Sequence, residues 1–379
     1  MMNKTTWQRV KLGEIAEFSN GKSRPNNVGN IPIYGGNGVL GYADESNCKD
    51  ETIILGRVGA YCGCVYYENQ PIWVSDNALI AKPKNHNSIK YIYYLLKYMN
   101  LNSHAQGSSH PLITQSLLNS LEVEVCVDYE AQQRIAEILS SLDDKIDLLH
   151  RQNKTLESLS FTLFRHTFID NPNRDEWKIG KLGDWIAETI GGDWGKEKPI
   201  NDFQEKVFCI RGTDIADLNK GLADKTPIRY IKKNKLSMLE PKEGDIIFEI
   251  SGGTETQSTG RCVFVNQQVK TLFKYPIIFS NFCRLLKVKK KEYSYFLYLY
   301  LQYLYHNDEF FALENGTSGI KNLNYKALFY ELEYKMPSEI QVIEFHTKVK
   351  IYFDKINANK KQIQNLQSMR DMLLAKILT

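Results

Sequence analysis

The chain has no apolar run long enough to cross a bilayer. Its longest, Tyr295 to Tyr305, is too short and is full of tyrosine. The first residues, MMNKTTWQRV, lack the apolar core of a signal peptide. Cysteine is sparse and odd in number, seven in 379 residues without a regular framework, which predicts reduced thiols and a cytoplasmic protein. Cys62-Gly-Cys64 has no second Cys or His pair nearby, so the zinc alternative would need Cys48, Cys62 and Cys64. Charge of one sign is also missing. The net charge of +4 and isoelectric point near 8.4 permit a polyanionic partner without requiring one.

Catalytic signatures are absent too. There is no P-loop, no helicase box, no Asn-Pro-Pro-Tyr methyltransferase box, and no Glu-x-Lys nuclease core after paired carboxylates. Gly35-Gly36-Asn37-Gly38 is not followed by a strand–helix–strand pattern and reads as a turn rather than a dinucleotide loop. His104, His110, His150, His166 and His306 are scattered without identifiable triad partners. The expectation is a chain with no catalysis, metal or cofactor of its own.

Proline and glycine are missing from two long stretches, and there the chain declares itself. In Glu130 to Phe168, Ile135, Leu142, Leu149, Leu156 and Leu163 recur every seventh position, with Ile138, Leu139, Ile146 and Leu159 beside them. A sustained seven-residue period is a coiled-coil seam. At 1.5 Å per residue the helix would run roughly 60 Å. Lys145 and Gln152 read as polar seam positions, which cost stability but fix register. Val342 to Leu378 supplies a second seam through Phe345, Val349, Tyr352, Ile356, Ile363, Leu366, Met369, Leu373 and Ile377. One helix overlays the other: Asp144-Lys145-Ile146 falls on Asp354-Lys355-Ile356, and Gln152 on Gln362. Antiparallel pairing of the two within one chain is expected; the blander alternative is two amphipathic helices, each on its own domain.

The rest of the chain is duplicated as well. Trp7-Gln-Arg-Val-Lys-Leu-Gly13 returns as Trp177-Lys-Ile-Gly-Lys-Leu-Gly183, Ile53-Ile54 as Ile246-Ile247, Cys64-Val65 as Cys262-Val263, and Ser75 as Ser280. The second copy carries extra residues, mostly between Gly183 and Ile246. Short β-branched or aromatic runs between Gly, Asn and Pro make each globule mostly β, with one aromatic helix (Ile89 to Met99, Tyr293 to Tyr305) packed on the sheet. The expected layout is a globule at 1–127, a long helix at 128–170, a second globule at 171–337 and a second helix at 338–379. Pro172 marks the end of the first helix. The fold class is α+β: two mostly-β globules separated by two long antiparallel coiled-coil helices, an internal duplication with pseudo-two-fold symmetry.

Each globule carries Gly-rich loops set with small polar and basic residues. In the first these hold Tyr34, Asn37, Arg57 and Tyr61, then Ser108, Ser109 and His110. In the second they hold Arg211 and Thr213, then Ser251, Thr254, Gln257 and Arg261, then Thr317, Ser318, Lys321 and Asn322. Glycine lets backbone approach phosphate closely, and such side chains supply donors for phosphates and base edges. The alternative, ordinary solvated turns, is weakened by recurrence at matching places in two copies.

The ordered set of motifs resembles the specificity subunits of type I restriction–modification enzymes. Its carriers are Trp-x-x-x-x-Leu-Gly at the start of each globule, Ile31-Pro-Ile-Tyr-Gly-Gly-Asn-Gly-Val-Leu-Gly-Tyr42, Ile53-Ile-Leu-Gly-Arg-Val-Gly59, Arg211-Gly-Thr-Asp214, Gly244-Asp-Ile-Ile-Phe248 and Ser251-Gly. Glu130-Ala-Gln132 and Glu339-Ile-Gln341 open the two helices. The second copy departs from the first where Ser251-Gly-Gly-Thr-Glu stands in place of Arg57-Val-Gly. The resemblance implies that each globule reads one half of a split, non-palindromic site on double-stranded DNA. It implies helices that fix the spacer and dock two modification (methyltransferase) subunits, with Lys154, Lys361, Gln152 and Gln362 on the docking helices. It allows a motor–nuclease subunit as a further partner. S-adenosylmethionine, ATP and magnesium would belong to those partners, not to this chain. The rivals are a recognition chain of a related type II system, a coiled-coil adaptor whose globules bind protein, and a zinc enzyme.

Overall fold

In the computed structural model, which describes residues 7–107, 111–316 and 319–378, the chain divides into two compact units. One comprises residues 1–148 with 363–379, the other residues 149–362. The first unit therefore takes the start of one long helix (Tyr129–Phe164) and the end of the other (Glu339–Leu378); the second takes the end of the one and the start of the other.

The first unit is built on a four-stranded antiparallel sheet, in the order Ala16–Asn20, Ala78–Pro83, Thr52–Gly56, Val65–Glu68. A three-stranded sheet joins Gly38–Ala43, Ile31–Gly35 and Trp73–Val74, the last pair parallel. Trp7–Lys11 pairs with Glu122–Cys126. Strand Thr52–Gly56 is buried on both faces, so its period-2 alternation feeds two cores. Ile53 and Leu55 face helix Ile89–Tyr98, while Ile54 packs with Tyr34, Ile72 and Val74. The first core continues into the helix pair through Ile135, Leu139, Leu374 and Leu378.

The second unit repeats this topology. Its four-stranded sheet runs Ile186–Gly191, Cys283–Val288, Ile246–Glu249, Cys262–Phe264. Its three-stranded sheet runs Ile228–Lys232, Phe203–Ile210, Ile277–Phe279, again with a parallel last pair. Ile179–Gly180 pairs with Tyr334–Lys335. A further small sheet joins Ser251–Gly252, Lys321–Leu323 and Glu314–Asn315. Ile246 and Phe248 face one core and Ile247 the other, as in the first copy. The aromatic helix Ser294–His306 meets the long helices in an edge-to-face cluster, in which Phe168 lies 4.9 Å from both Phe296 and Phe345. The first long helix closes in a wide turn, Arg165–Ile169, ahead of Pro172.

Both long helices are capped by the motifs that open them. Asp128 accepts from the Glu130 and Ala131 amides at 3.0 and 3.3 Å. Ser338 and Gln341 form a capping box, the Ser338 amide donating to Gln341 Oε1 at 2.9 Å. Gln132 is fully buried and fully used. Its amide donates to Asn87 Oδ1 (2.8 Å) and the Cys126 carbonyl (2.7 Å) and accepts from the Ser88 amide (2.8 Å). It ties the helix start to the strand and helix beside it.

Within each unit the helices run antiparallel. Asp143 pairs with Arg370 at 2.7 Å in the first unit. In the second, Asn153 meets Asn359 and, further along, Phe164 meets Phe345. The phase of the seam differs from the sequence expectation. Buried positions follow Ile135, Leu139, Ile146, Leu149, Asn153 and Ser160, while Lys145, Gln152 and Gln362 are exposed. A seven-residue repeat leaves two choices for the second seam position, and partner packing selected the one carrying Asn153. The polar pair that meets across the seam is therefore Asn153 and Asn359.

Candidate nucleic-acid interface

The same turns gather at the end of the central strand in each unit. In the first, Arg57 follows that strand, and its amide donates to the Asn77 carbonyl at 3.1 Å. Gly36, beside exposed Asn37, lies against Asn77 and Val58; a Cβ there would sit 3.5 and 3.6 Å from their carbonyl oxygens. Gly59 donates to the Pro111 carbonyl at 3.0 Å, so the chain flanking residues 108–110 joins the cluster. Ser108, Ser109 and His110 themselves lie outside the described residues. Tyr61 is exposed and the Nε of Arg57 is buried without a partner. Tyr34 is a correction: it is buried, and its hydroxyl donates to Glu68. Burial and that carboxylate push its pKa up, so it supports the turn instead of presenting a surface.

In the second unit a cleft of about 700 Å³ brings together Arg211, Thr213, Ser251, Thr254, Gln257 and Arg261. In the sequence these residues are linked only by the Gly-rich loops that carry them and by the recurrence of such loops in the two copies. Trp194, Asn281, Phe282 and Ile320 line the same cleft and were not anticipated, because they come from separate loops. Lys321 and Asn322 border it, Asn322 pairing with Ser251 across two strands, with Ser251 Oγ 2.5 Å from its amide oxygen. Thr317 and Ser318 lie outside the described residues. Gln257 donates to the Tyr305 hydroxyl at 3.2 Å, and Lys321 pairs with Glu314 at 3.1 Å.

Neither arginine of the cleft is loose. Arg211 donates from Nε and Nη2 to Asp214 at 3.0 and 2.7 Å, and Arg261 does the same to Glu249 at 2.9 and 2.6 Å. Both carboxylates are buried. These forked bonds hold both guanidinium pKa values above the usual arginine range. The Arg229 guanidinium stacks over the Trp194 ring at 4.2 Å and holds it in place.

Matching hydrogen bonds align the two sites. Ser75 donates from its amide to the Tyr34 carbonyl, and Ser280 to the Ile210 carbonyl, both at 2.8 Å. Ile113 donates to the Arg57 carbonyl and Leu323 to the Ile250 carbonyl, both at 2.9 Å. Gly21 and Gly192 occupy equivalent places, where a Cβ would fall 2.0 and 2.1 Å from the carbonyl oxygens of Ser75 and Ser280. Only glycine fits such an approach. The backbone frame is thus shared while the side chains on it differ: Asn37 corresponds to Thr213, Arg57 to Ile250, and Asp76-Asn77 to Asn281-Phe282.

The cysteines make no such cluster. All seven are free thiols, and among the described residues no group of three or more His, Cys, Asp or Glu is placed to hold a metal. Among those residues no helix is long and apolar enough to cross a membrane.

Residues 4–158 match the family model described as the type I restriction modification DNA specificity domain. The chain is 27% identical to the type I restriction enzyme MjaIX specificity subunit of Methanocaldococcus jannaschii, across 98% of this chain and 92% of that one. It is 30% identical over 144 residues to the EcoprrI specificity subunit of Escherichia coli, 36% of each chain. Its fold is that of the S subunit of a type I restriction–modification system from M. genitalium, with TM-score 0.63 and 17% identity, covering 100% of this chain and 98% of that one. Over nearly its whole length the chain is therefore similar to type I restriction–modification specificity subunits, and its residues 4–158 match their DNA specificity domain.

Proposed function

We propose that this chain is the non-catalytic, sequence-reading subunit of a type I restriction–modification complex, and that its two globules, at 1–127 and 171–337, each read one half of a split target on double-stranded DNA. One observation carries the reading: a backbone frame with matching hydrogen bonds and glycine approaches, Gly21 and Ser75 in one unit and Gly192 and Ser280 in the other, presents different polar side chains. A shared frame with different donors suits two half-sites of different sequence, since each good bidentate base contact discriminates by about 1–3 kcal/mol. The long helices, at 128–170 and 338–379, set the spacer and dock modification subunits, two per chain by the duplication; a motor–nuclease subunit completes the complex. Exposed Lys154, Ile351 and Lys361 on the helices of the second unit, and exposed Met369 and Met372 on the helix of the first, supply outward groups suited to such docking.

The test is the methylated motif in cells expressing this chain with its methyltransferase. Exchanging residues 177–337 for the matching segment of another specificity subunit is expected to change one half of the motif and leave the other. A palindromic motif, or a change in both halves, would overturn the reading. A protein-binding adaptor would instead show no salt-dependent affinity for duplex DNA.

A further inference from the structure

We propose that the cleft of the second unit reads the major-groove edge of one A·T base pair, with Asn281 and Phe282 as specificity-determining residues and Asp214 and Glu249 as positioning residues. The inference rests on the DNA-reading function proposed above and assigns the chemistry of one of its two sites.

The charge balance of the cleft comes first. Among the described lining residues the cations are Arg211 and Arg261, each matched by a buried carboxylate, and Lys321 at the border is paired with Glu314. The remaining lining is neutral. The salt-dependent affinity for phosphates requires cationic charge to spare, because it comes from displaced counterions. A cleft without net charge suits base edges, which are read by directed hydrogen bonds and apolar contacts.

The arginines are also poorly set for guanine. Reading its O6 and N7 takes two donors on one edge. Arg211 gives Nε and one Nη2 proton to Asp214, and its Nη2 also donates to the Lys225 carbonyl at 2.8 Å, which leaves only Nη1. The Arg261 side chain is 17% exposed and lies below the rim.

At the rim stand Asn281 and Phe282. Asn281 is exposed, and a carboxamide matches the N6 donor and N7 acceptor of adenine. Phe282 is 42% exposed, and Ile320, 59% exposed, lines the same cleft. Such apolar groups suit the C5 methyl of thymine. The turn is fixed before any ligand arrives. The Phe282 carbonyl accepts from the Ile250 and Ser251 amides at 2.8 and 3.2 Å, and the Cys283 amide donates to the Ser280 carbonyl at 2.9 Å. Rigid placement is what converts donor identity into discrimination.

The experiment uses the full chain co-expressed with its methyltransferase, read by the methylated motif. Asn281→Ala, Phe282→Ala and Asn281→Asp, all at exposed positions, are expected to relax one A·T position in one half-site by about 5- to 100-fold and leave the other half intact. Arg211→Ala is expected to leave the salt slope of binding to a duplex carrying the motif unchanged. A fixed motif that survives the Asn281 and Phe282 substitutions, or a slope reduced by about 0.9 in Arg211→Ala as for a lost phosphate contact, would overturn this proposal alone. A wild-type complex that methylates no fixed motif would overturn the DNA-reading function and this proposal with it.

Discussion

Asn359 donates from Nδ2 to the Oδ1 of Asn153 at 2.9 Å, and both side chains are buried between the helices of the second unit. Asn359 Oδ1 has no partner of its own. A buried amide pair is a register device: any other alignment of the helices would strand both groups. Asn359→Leu is expected to lower stability by about 1–3 kcal/mol, because Asn153 is left buried and unpaired. Replacing both by Leu is expected to recover the loss. Denaturant unfolding of the single and double variants measures the difference.

Gln132 makes three bonds from a fully buried position at the start of the first long helix. Gln132→Leu keeps roughly the same volume but strands the Ser88 amide and the Cys126 carbonyl. A loss of about 2–4 kcal/mol is expected, summing two unsatisfied groups. Hydrogen exchange is expected to show faster opening at Ser88 and at the helix start.

His346 is buried, stacks 4.9 Å from Tyr295, and has an unpartnered Nδ1. Burial lowers its pKa; Glu292 opposes the shift, while Lys350 and Lys291 add to it. The folded protein thus binds a proton less readily than the unfolded chain. Its contribution to stability is full above the unfolded value of about 6.5 and is lost as pH falls below it. His346→Phe is expected to flatten that part of the stability–pH curve. A wild-type curve that is already flat between pH 7 and 5 would count against it.

Lys154 and Lys361 are exposed on the long helices. Charge reversal at both, Lys154→Glu with Lys361→Glu, is expected to weaken assembly with modification subunits and leave the thermal transition of the chain within about 0.5 kcal/mol of wild type. Co-purification yield against salt reads the first effect and calorimetry the second.

What the sequence determined by itself is periodicity and duplication. Ile135 and Leu149 announce the helix seam because a seven-residue apolar repeat has one low-energy use. Ile53, Ile54 and their counterparts Ile246 and Ile247 announce a doubly buried strand, and Trp7 with Trp177 announces two copies. Tertiary structure decided the phase. Gln152 and Asn153 are one residue apart and both polar; Asn359 Nδ2 lies 2.9 Å from Asn153 Oδ1 and 3.4 Å from Gln152 Oε1, yet packing of the helices buries only Asn153. It also decided which loop residues remain available. Arg57 and Arg261 are alike as letters, yet the Nε of Arg57 has no partner while Arg261 is clamped by Glu249, twelve residues earlier in sequence and across a strand pair. Tyr34 turned inward because Ile54, Ile72 and Val74 offered it an apolar face. Trp194, Asn281 and Phe282 escaped notice because a site is an assembly of distant loops, and hydrophobic pattern reports burial along one segment, not convergence between several.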